Sequence, residues 1–340
     1  MKIDVNSLSP QWIIGARGTS RDISLPQRYG EGVPLKLAVM DDILYLPHMF
    51  NGCESICMTR DGIVPNESIG DWHLDYVRSR CVKSETLYKD EFEADYSSLN
   101  VCIIGNVYSK VFWHWTEEMI KVVILEHNGF DGYYVVCDMP RFCHDFLSLA
   151  GISSDRILDI RRPVVFKSAV FSTHVNHENI DRHPNVLRLL REVLFTRIDP
   201  VPSPYGEKIW MERGAMVAKD RFLLNHDEVY AVLARYGVVG VDMATLSVAE
   251  QLRVARDMRL AGGVHGSQFA HVQFMPFRSA VIECFSPCYI NPCVIEICRT
   301  LAHCYYQMVP INTGFAPYSH GRDTIVNCSH LDLVLRNLVS

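Results

Sequence analysis

From residue 99 onward, short apolar runs alternate with stretches of helical periodicity, and this alternation limits the fold more than any other feature. "LNVCIIGN" (99–106) reads as a strand and "FWHWTEEMIKVVILEHNG" (112–129) as a helix. In that helix Trp115, Met119, Val122 and Val123 recur at helical spacing, and Asn128-Gly129 is a stop signal. "GYYVVCD" (132–138) is a buried strand, and "PRFCHDFLSLAG" (140–151) is a helix with proline at its start and glycine at its end. The pattern resumes at "KIWMER" (208–213) and runs through the helix "NHDEVYAVLARYG", with Asn225 as expected N-cap and Glu228 three residues later. It continues through the helix "SVAEQLRVARDM" with its Ser247-x-x-Glu250 capping box, the strand "MRLAGGV", and the strand "SAVIECF". Strands alternating with helices imply an α/β protein with parallel, doubly wound sheets.

A chain of 340 residues exceeds one ordinary core. The segment "DPVPSPYGEK" (199–208) holds three prolines in ten residues and is the best linker. The expected organisation is therefore an N-terminal domain over 1–198, whose first 100 residues form an irregular or β-containing lead-in, and a linker over 199–207. A second domain follows over 208–328, and a final helix over 329–340 is expected to pack back on the N-terminal domain. Ligands of such sheets bind beyond the carboxyl ends of the strands, which points to an interdomain cleft.

Composition narrows the function. A net charge of −6 with no basic run argues against nucleic-acid binding. No export signal or long apolar stretch is evident, so the expected location is cytoplasmic, with room for contact at the inner face of the membrane. The 12 cysteines show no C-x2-C spacing and read as reduced, mostly buried thiols, so no metal site is expected.

Three constellations carry chemistry. In "RLAGGVHGSQFAHVQFMP" (259–276) a buried strand runs into His265-Gly266-Ser267 and then a helix. No second glycine follows Ser267 at nucleophile-turn spacing, and no dinucleotide or P-loop signature occurs. Two readings remain: an anion cradle at a helix N-terminus, or a plain strand-to-helix turn. In "MERGAMVAKDRFLLN" (211–225), Arg213, Lys219 and Arg221 follow a strand end and supply cations suited to a pyrophosphate, unless they form a solvated basic loop. Glu283, late in its strand, is a candidate for holding ribose hydroxyls. In "GNVYSKVFWHWTEEM" (105–119), His114 and Glu118 stand i,i+4 on one helix face, and either suits a general base. Glu117 points about 100° away from Glu118 and is not expected to join that pair.

The series Glu212-Arg213, Arg221, "NHDEV", "LSVAEQ", "GGVHGS", "FMP" and "VIE" (281–283) resembles, in order and spacing, the motifs of glycosyltransferase family 61. In the other half "GN" (105–106), "HW" (114–115) and "LAGISSDRIL" (149–158) resemble the family's N-terminal motifs, with Asn106 and Trp115 on the acceptor side. Glu212 stands where the family usually has a small hydroxyl residue. The resemblance implies a GT-B-like fold of two facing Rossmann-like domains and inverting transfer from a nucleotide sugar, UDP-linked, without cofactor or metal. The diphosphate would meet Arg213, Lys219, Arg221, His265, Gly266 and Ser267, with Glu118 or His114 as base. Bacterial members serve capsule, lipopolysaccharide or exopolysaccharide assembly, so the acceptor would be a glycan or lipid-linked glycan. Self-association stays open, as does a non-catalytic nucleotide-sugar or polysaccharide-binding protein on the same fold.

Overall fold

The computed structural model describes residues 2–4, 9–11, 19–23, 35–47, 56–65, 85–87, 96, 98–104, 110–172, 183–213, 221–286, 289–309 and 323–339. It is a mixed α/β structure whose chain divides into two compact units, Met1–Leu194 and Phe195–Ser340. Among the described residues no helix is long and apolar enough to cross a membrane.

The first unit opens with strands β1 (Lys2–Asp4), β2 (Ser9–Gln11), β3 (Thr19–Ile23), β4 (Leu35–Leu46), β5 (Ile56–Met58), β6 (Ile63–Pro65) and β7 (Glu85–Leu87). It continues with β8 (Asn100–Ile103), helix α1 (Phe112–His127), β9 (Tyr133–Val136), helix α2 (Arg141–Leu149), β10 (Ile157–Asp159), β11 (Val164–Ser172) and helix α3 (Pro184–Phe195), where the unit ends. The main sheet runs β10-β9-β8-β11-β4-β3, with β5 on β4. Its β10-β9-β8-β11 portion is parallel, as the alternation predicts.

The rest corrects the expectation of a wholly parallel sheet, and the lead-in, expected to be irregular or β-containing, contributes strands to it. β4 pairs antiparallel with β11, from Val164↔Tyr45 to Ser172↔Leu37, and β3 pairs antiparallel with β4. Two adjacent exposed acids, Asp41 and Asp42, interrupt the apolar pattern of β4 and make one long strand look like fragments. Pairing with β11 carries the strand through them. Ile43, Tyr45, Val101, Val135 and Phe166 pack together over the sheet, while α1 buries Trp115, Met119, Val122 and Val123.

The second unit contains β12 (Lys208–Met211), α4 (His226–Arg235), β13 (Val239–Val241), α5 (Val248–Asp257), β14 (Leu260–Val264), a 3-10 helix (Ser267–Phe274), β15 (Ala280–Cys284), α6 (Cys293–Thr300), β16 (Cys304–Met308) and α7 (Cys328–Val339). The strands form one parallel sheet in the order β13-β12-β14-β15-β16. Counted from β12 this is 2-1-3-4-5, a doubly wound sheet whose order reverses between β12 and β14.

Three local expectations change here. The proline-rich 199–207 segment is held within the second unit: Arg256 donates to the carbonyls of Asp199 and Val201 at 2.8 and 2.9 Å, and Ser203 N–H donates to Asp257 at 2.7 Å. The final helix packs on α4 of its own unit. Leu331, Val334 and Leu335 join Val229 and Leu233 in one core, and Tyr236 donates to Asp332 at 2.7 Å. Ser247 and Glu250 do form the capping box of α5, but Asn225 makes no side-chain cap. Its amide instead donates to the Val326 carbonyl at 2.8 Å and accepts from the Val326 N–H at 3.0 Å.

Candidate functional site

In an open α/β sheet the place where strand order reverses leaves a crevice at the strand carboxyl ends, because the following connections diverge to opposite faces. In the second unit that crevice lies after Met211 and Val264, the ends of β12 and β14, where the chain places Arg213 and His265-Gly266-Ser267. The approach to the turn is built from packing. Trp210 of β12 lies against Gly262 of β14 so closely that a Cβ there would come 2.6 Å from its ring. The double glycine therefore lets the neighbouring strand's indole sit over the sheet.

Beyond the strand, the two arginines converge. Arg213 Nη1 donates to the His265 carbonyl at 3.0 Å and Arg221 Nη1 to the same oxygen at 3.1 Å. Gly266 is glycine because a Cβ would overlap Arg213 Nη1 and approach Gln268 Oε1 to 2.5 Å. Arg221 itself sits at φ 64°, a left-handed conformation that costs an arginine about 1 kcal/mol, with the following N–H of Phe222 pinned by Asp323 at 2.8 Å. Its guanidinium also lies 5.8 Å over the Tyr289 ring. Two guanidiniums fixed against one neutral carbonyl concentrate positive charge beside the first N–H groups of the 3-10 helix, which suits an anion.

His265 is buried. Its ring stacks on Phe285 at 4.9 Å, and Nδ1 lies 2.5 Å from Glu283 Oε1. Glu283 has no exposed surface, and its other oxygen accepts from Tyr305 at 2.6 Å. Against the expected contact of Glu283 with ribose, the structure leaves no part of this carboxylate exposed and engages both oxygens within the protein. Tyr305 had no motif to mark it; only the β15–β16 register, Val281↔Tyr305, brings it beside Glu283. Glu212 turns away from Arg213 and accepts from the Tyr230 hydroxyl.

In the first unit, α1 follows β8, which stands next to β11 where the parallel strand order reverses. Here the structure re-pairs the expected couple. His114 Nδ1 lies 2.9 Å from Glu117, i,i+3, and Trp113 donates to the other Glu117 oxygen at 2.9 Å. Glu118 lies on the inward face, almost fully buried, and pairs with Lys121 at 3.1 Å. Both i,i+3 and i,i+4 neighbours are within reach on a helix, and burial of Lys121 draws Glu118 inward. Burial pushes the Glu118 carboxyl up to about 7, with Lys121 acting in the opposite direction. Trp115, expected on the acceptor side, is completely buried in the core and cannot touch an acceptor. Asn106 and Lys219 lie outside the described residues. Among the described residues no cluster of His, Cys, Asp and Glu is arranged to hold a metal ion.

The family model for glycosyltransferase 61 matches residues 112–282, from the start of α1 to the last strand of this site but one. The chain belongs to the glycosyltransferase 61 family. It is thus a glycosyltransferase, and the family match spans both the His114 helix and the Arg213–His265 crevice. None of the curated proteins matches this glycosyltransferase. Among solved structures it is similar to the dodecameric iron-containing heptosyltransferase TibC, in complex with ADP-D-β-D-heptose, at 10% identity and a TM-score of 0.30, over 81% of this chain and 79% of that one.

Proposed function

We propose that this glycosyltransferase moves a sugar, with inversion at the anomeric carbon, from a UDP-linked donor to a glycan or lipid-linked glycan acceptor. The observation that carries this reading is the convergence of Arg213 and Arg221 on the His265 carbonyl, at the point where the strand order of the second sheet reverses. A nucleoside diphosphate leaving group gains negative charge as the glycosidic C–O bond breaks. Fixed guanidiniums and helix N–H groups aimed at that charge stabilise the transition state more than the ground state. Such a set neutralises the charge without a divalent ion, so the proposed mechanism is metal-independent.

The base we assign is His114. Glu117 binds Nδ1, which leaves the proton-accepting role to Nε2 and stabilises the imidazolium that forms. The acceptor hydroxyl gives its proton to that nitrogen, its oxygen bonds to the anomeric carbon, and the diphosphate departs with the bonding pair. Glu118, enclosed with Lys121, is assigned a structural role. For this chemistry the two units would face each other in a GT-B-like arrangement. The setting we propose, cell-surface polysaccharide assembly at the cytoplasmic face of the membrane, is that of the bacterial members the sequence resembles.

The test is a screen of nucleotide sugars for release of nucleoside diphosphate, with and without chelator. His114→Ala is expected to lower kcat by about 10²–10⁴-fold, the ordinary contribution of a general base. Unchanged turnover in that variant overturns the assignment of the base, and a strict Mg²⁺ or Mn²⁺ requirement overturns the metal-independent mechanism.

A further inference from the structure

The crevice contains a side-chain chain that the leaving-group reading does not use. Tyr305 donates its hydroxyl to Glu283 Oε2 at 2.6 Å, and Glu283 Oε1 meets His265 Nδ1 at 2.5 Å. Glu283 is fully buried on β15, so no water competes for either oxygen. A buried carboxylate that loses one of two donors retains an unsatisfied charged oxygen, and it turns or takes a proton to relieve that cost. The His265 ring is braced on its flat side by Phe285 and approached by Tyr289 at 5.1 Å, so its plane is set by packing. What packing does not set is which ring nitrogen carries the proton; the partner of Nδ1 decides that. His265 Nε2 has no hydrogen-bond partner among the described residues.

We propose that Tyr305 is a positioning residue of this site: it holds the Glu283 carboxylate with Oε1 toward His265, which keeps the proton on Nδ1 and leaves Nε2 as the nitrogen that meets the ligand. Burial and the adjoining Glu283 charge push the Tyr305 phenol far above its ordinary range, so it remains a donor at every working pH. The titratable and charged groups around His265 come from four places: Glu283 on β15, Tyr305 on β16, Arg213 after β12 and Arg221 before α4. Of these only Glu283 touches the ring, so a change at Tyr305 reaches His265 through the carboxylate. The assignment of Nε2 to a diphosphate rests on the function proposed above; the link from Tyr305 to the tautomer does not.

Two readouts separate these claims. Imidazole ¹⁵N NMR of Tyr305→Phe and Glu283→Gln, with the His265 signals identified by their loss in His265→Gln, reports where the ring proton resides. UDP titration and the split between donor KM and kcat report the ligand side. Tyr305→Phe keeps the ring and its packing, and Glu283→Gln is isosteric, so both are expected to fold, with Tyr305→Phe melting lower than the parent by the cost of the buried oxygen it leaves unsatisfied. The expected result is a changed Nδ1/Nε2 pattern in both variants and UDP binding weakened about tenfold, the scale of one hydrogen bond to a charged group. His265 nitrogens unchanged in Tyr305→Phe overturn the proposal. A changed tautomer with unaltered UDP affinity and donor KM supports the role of Tyr305 and overturns the reading of His265 as a diphosphate contact.

Discussion

Arg213 and Trp115 show how far a residue type alone can mislead or inform. A lone arginine past a strand end reads equally as a solvated charge, yet Arg213 is locked at 3.0 Å onto the His265 carbonyl through a gap that only glycine leaves open at 266. Arg213→Ala is expected to lower kcat/KM for the donor by about 10²–10³-fold, as removing one preorganised donor to a developing charge does elsewhere, with little change in melting temperature. Steady-state kinetics with the donor varied checks it. Trp115 has the opposite history. Its place beside His114 suggests an acceptor platform, but helical geometry turns the next residue about 100° and carries the indole into the core. Trp115→Phe is therefore expected to lower the melting temperature while leaving acceptor KM unchanged. The residue types at the site were legible in the sequence; which way each side chain points depends on neighbours distant in the chain, as Glu117 taking the partner expected of Glu118 shows.

At the scale of elements, sequence reads well wherever the signal is local. The strands and helices from β8 to α7 follow from apolar periodicity, glycine stops and the Ser247–Glu250 box, all contained within a few residues. It reads poorly where a distant partner decides. Asn225 and Glu228 carry a cap signature, yet the Asn225 amide clamps the backbone of Val326, about a hundred positions away. β4 looks broken at Asp41 and Asp42, yet β11 holds it continuous. The two asparagine and serine sites thus differ in expected cost. Ser247→Ala loses a cap, about 1 kcal/mol. Asn225→Ala strips partners from both backbone groups of a buried residue, about 2 kcal/mol. Urea unfolding of the two variants decides; the reverse order would show that the clamp is dispensable.

The whole molecule is two compact units, each with a parallel strand order that reverses once, and the candidate residues follow the strands at those reversals. The buried Glu118–Lys121 pair gives the first unit a pH signature. A carboxyl raised to about 7 in the fold and near 4.5 in the unfolded chain holds its proton more firmly when folded. Its contribution to stability is complete below the unfolded value and is lost as pH rises through 7. Relative to the parent, Glu118→Gln should thus gain stability between about pH 5 and pH 8. A relative loss over that window would show that the attraction of Lys121 outweighs burial. The most direct test of the central claim is nucleoside diphosphate release from a panel of nucleotide sugars in chelator, comparing the parent with Arg213→Ala and Arg221→Ala. Donor-dependent release by the parent and its collapse in both variants are predicted; full activity in Arg213→Ala would contradict a leaving-group site at the end of β14.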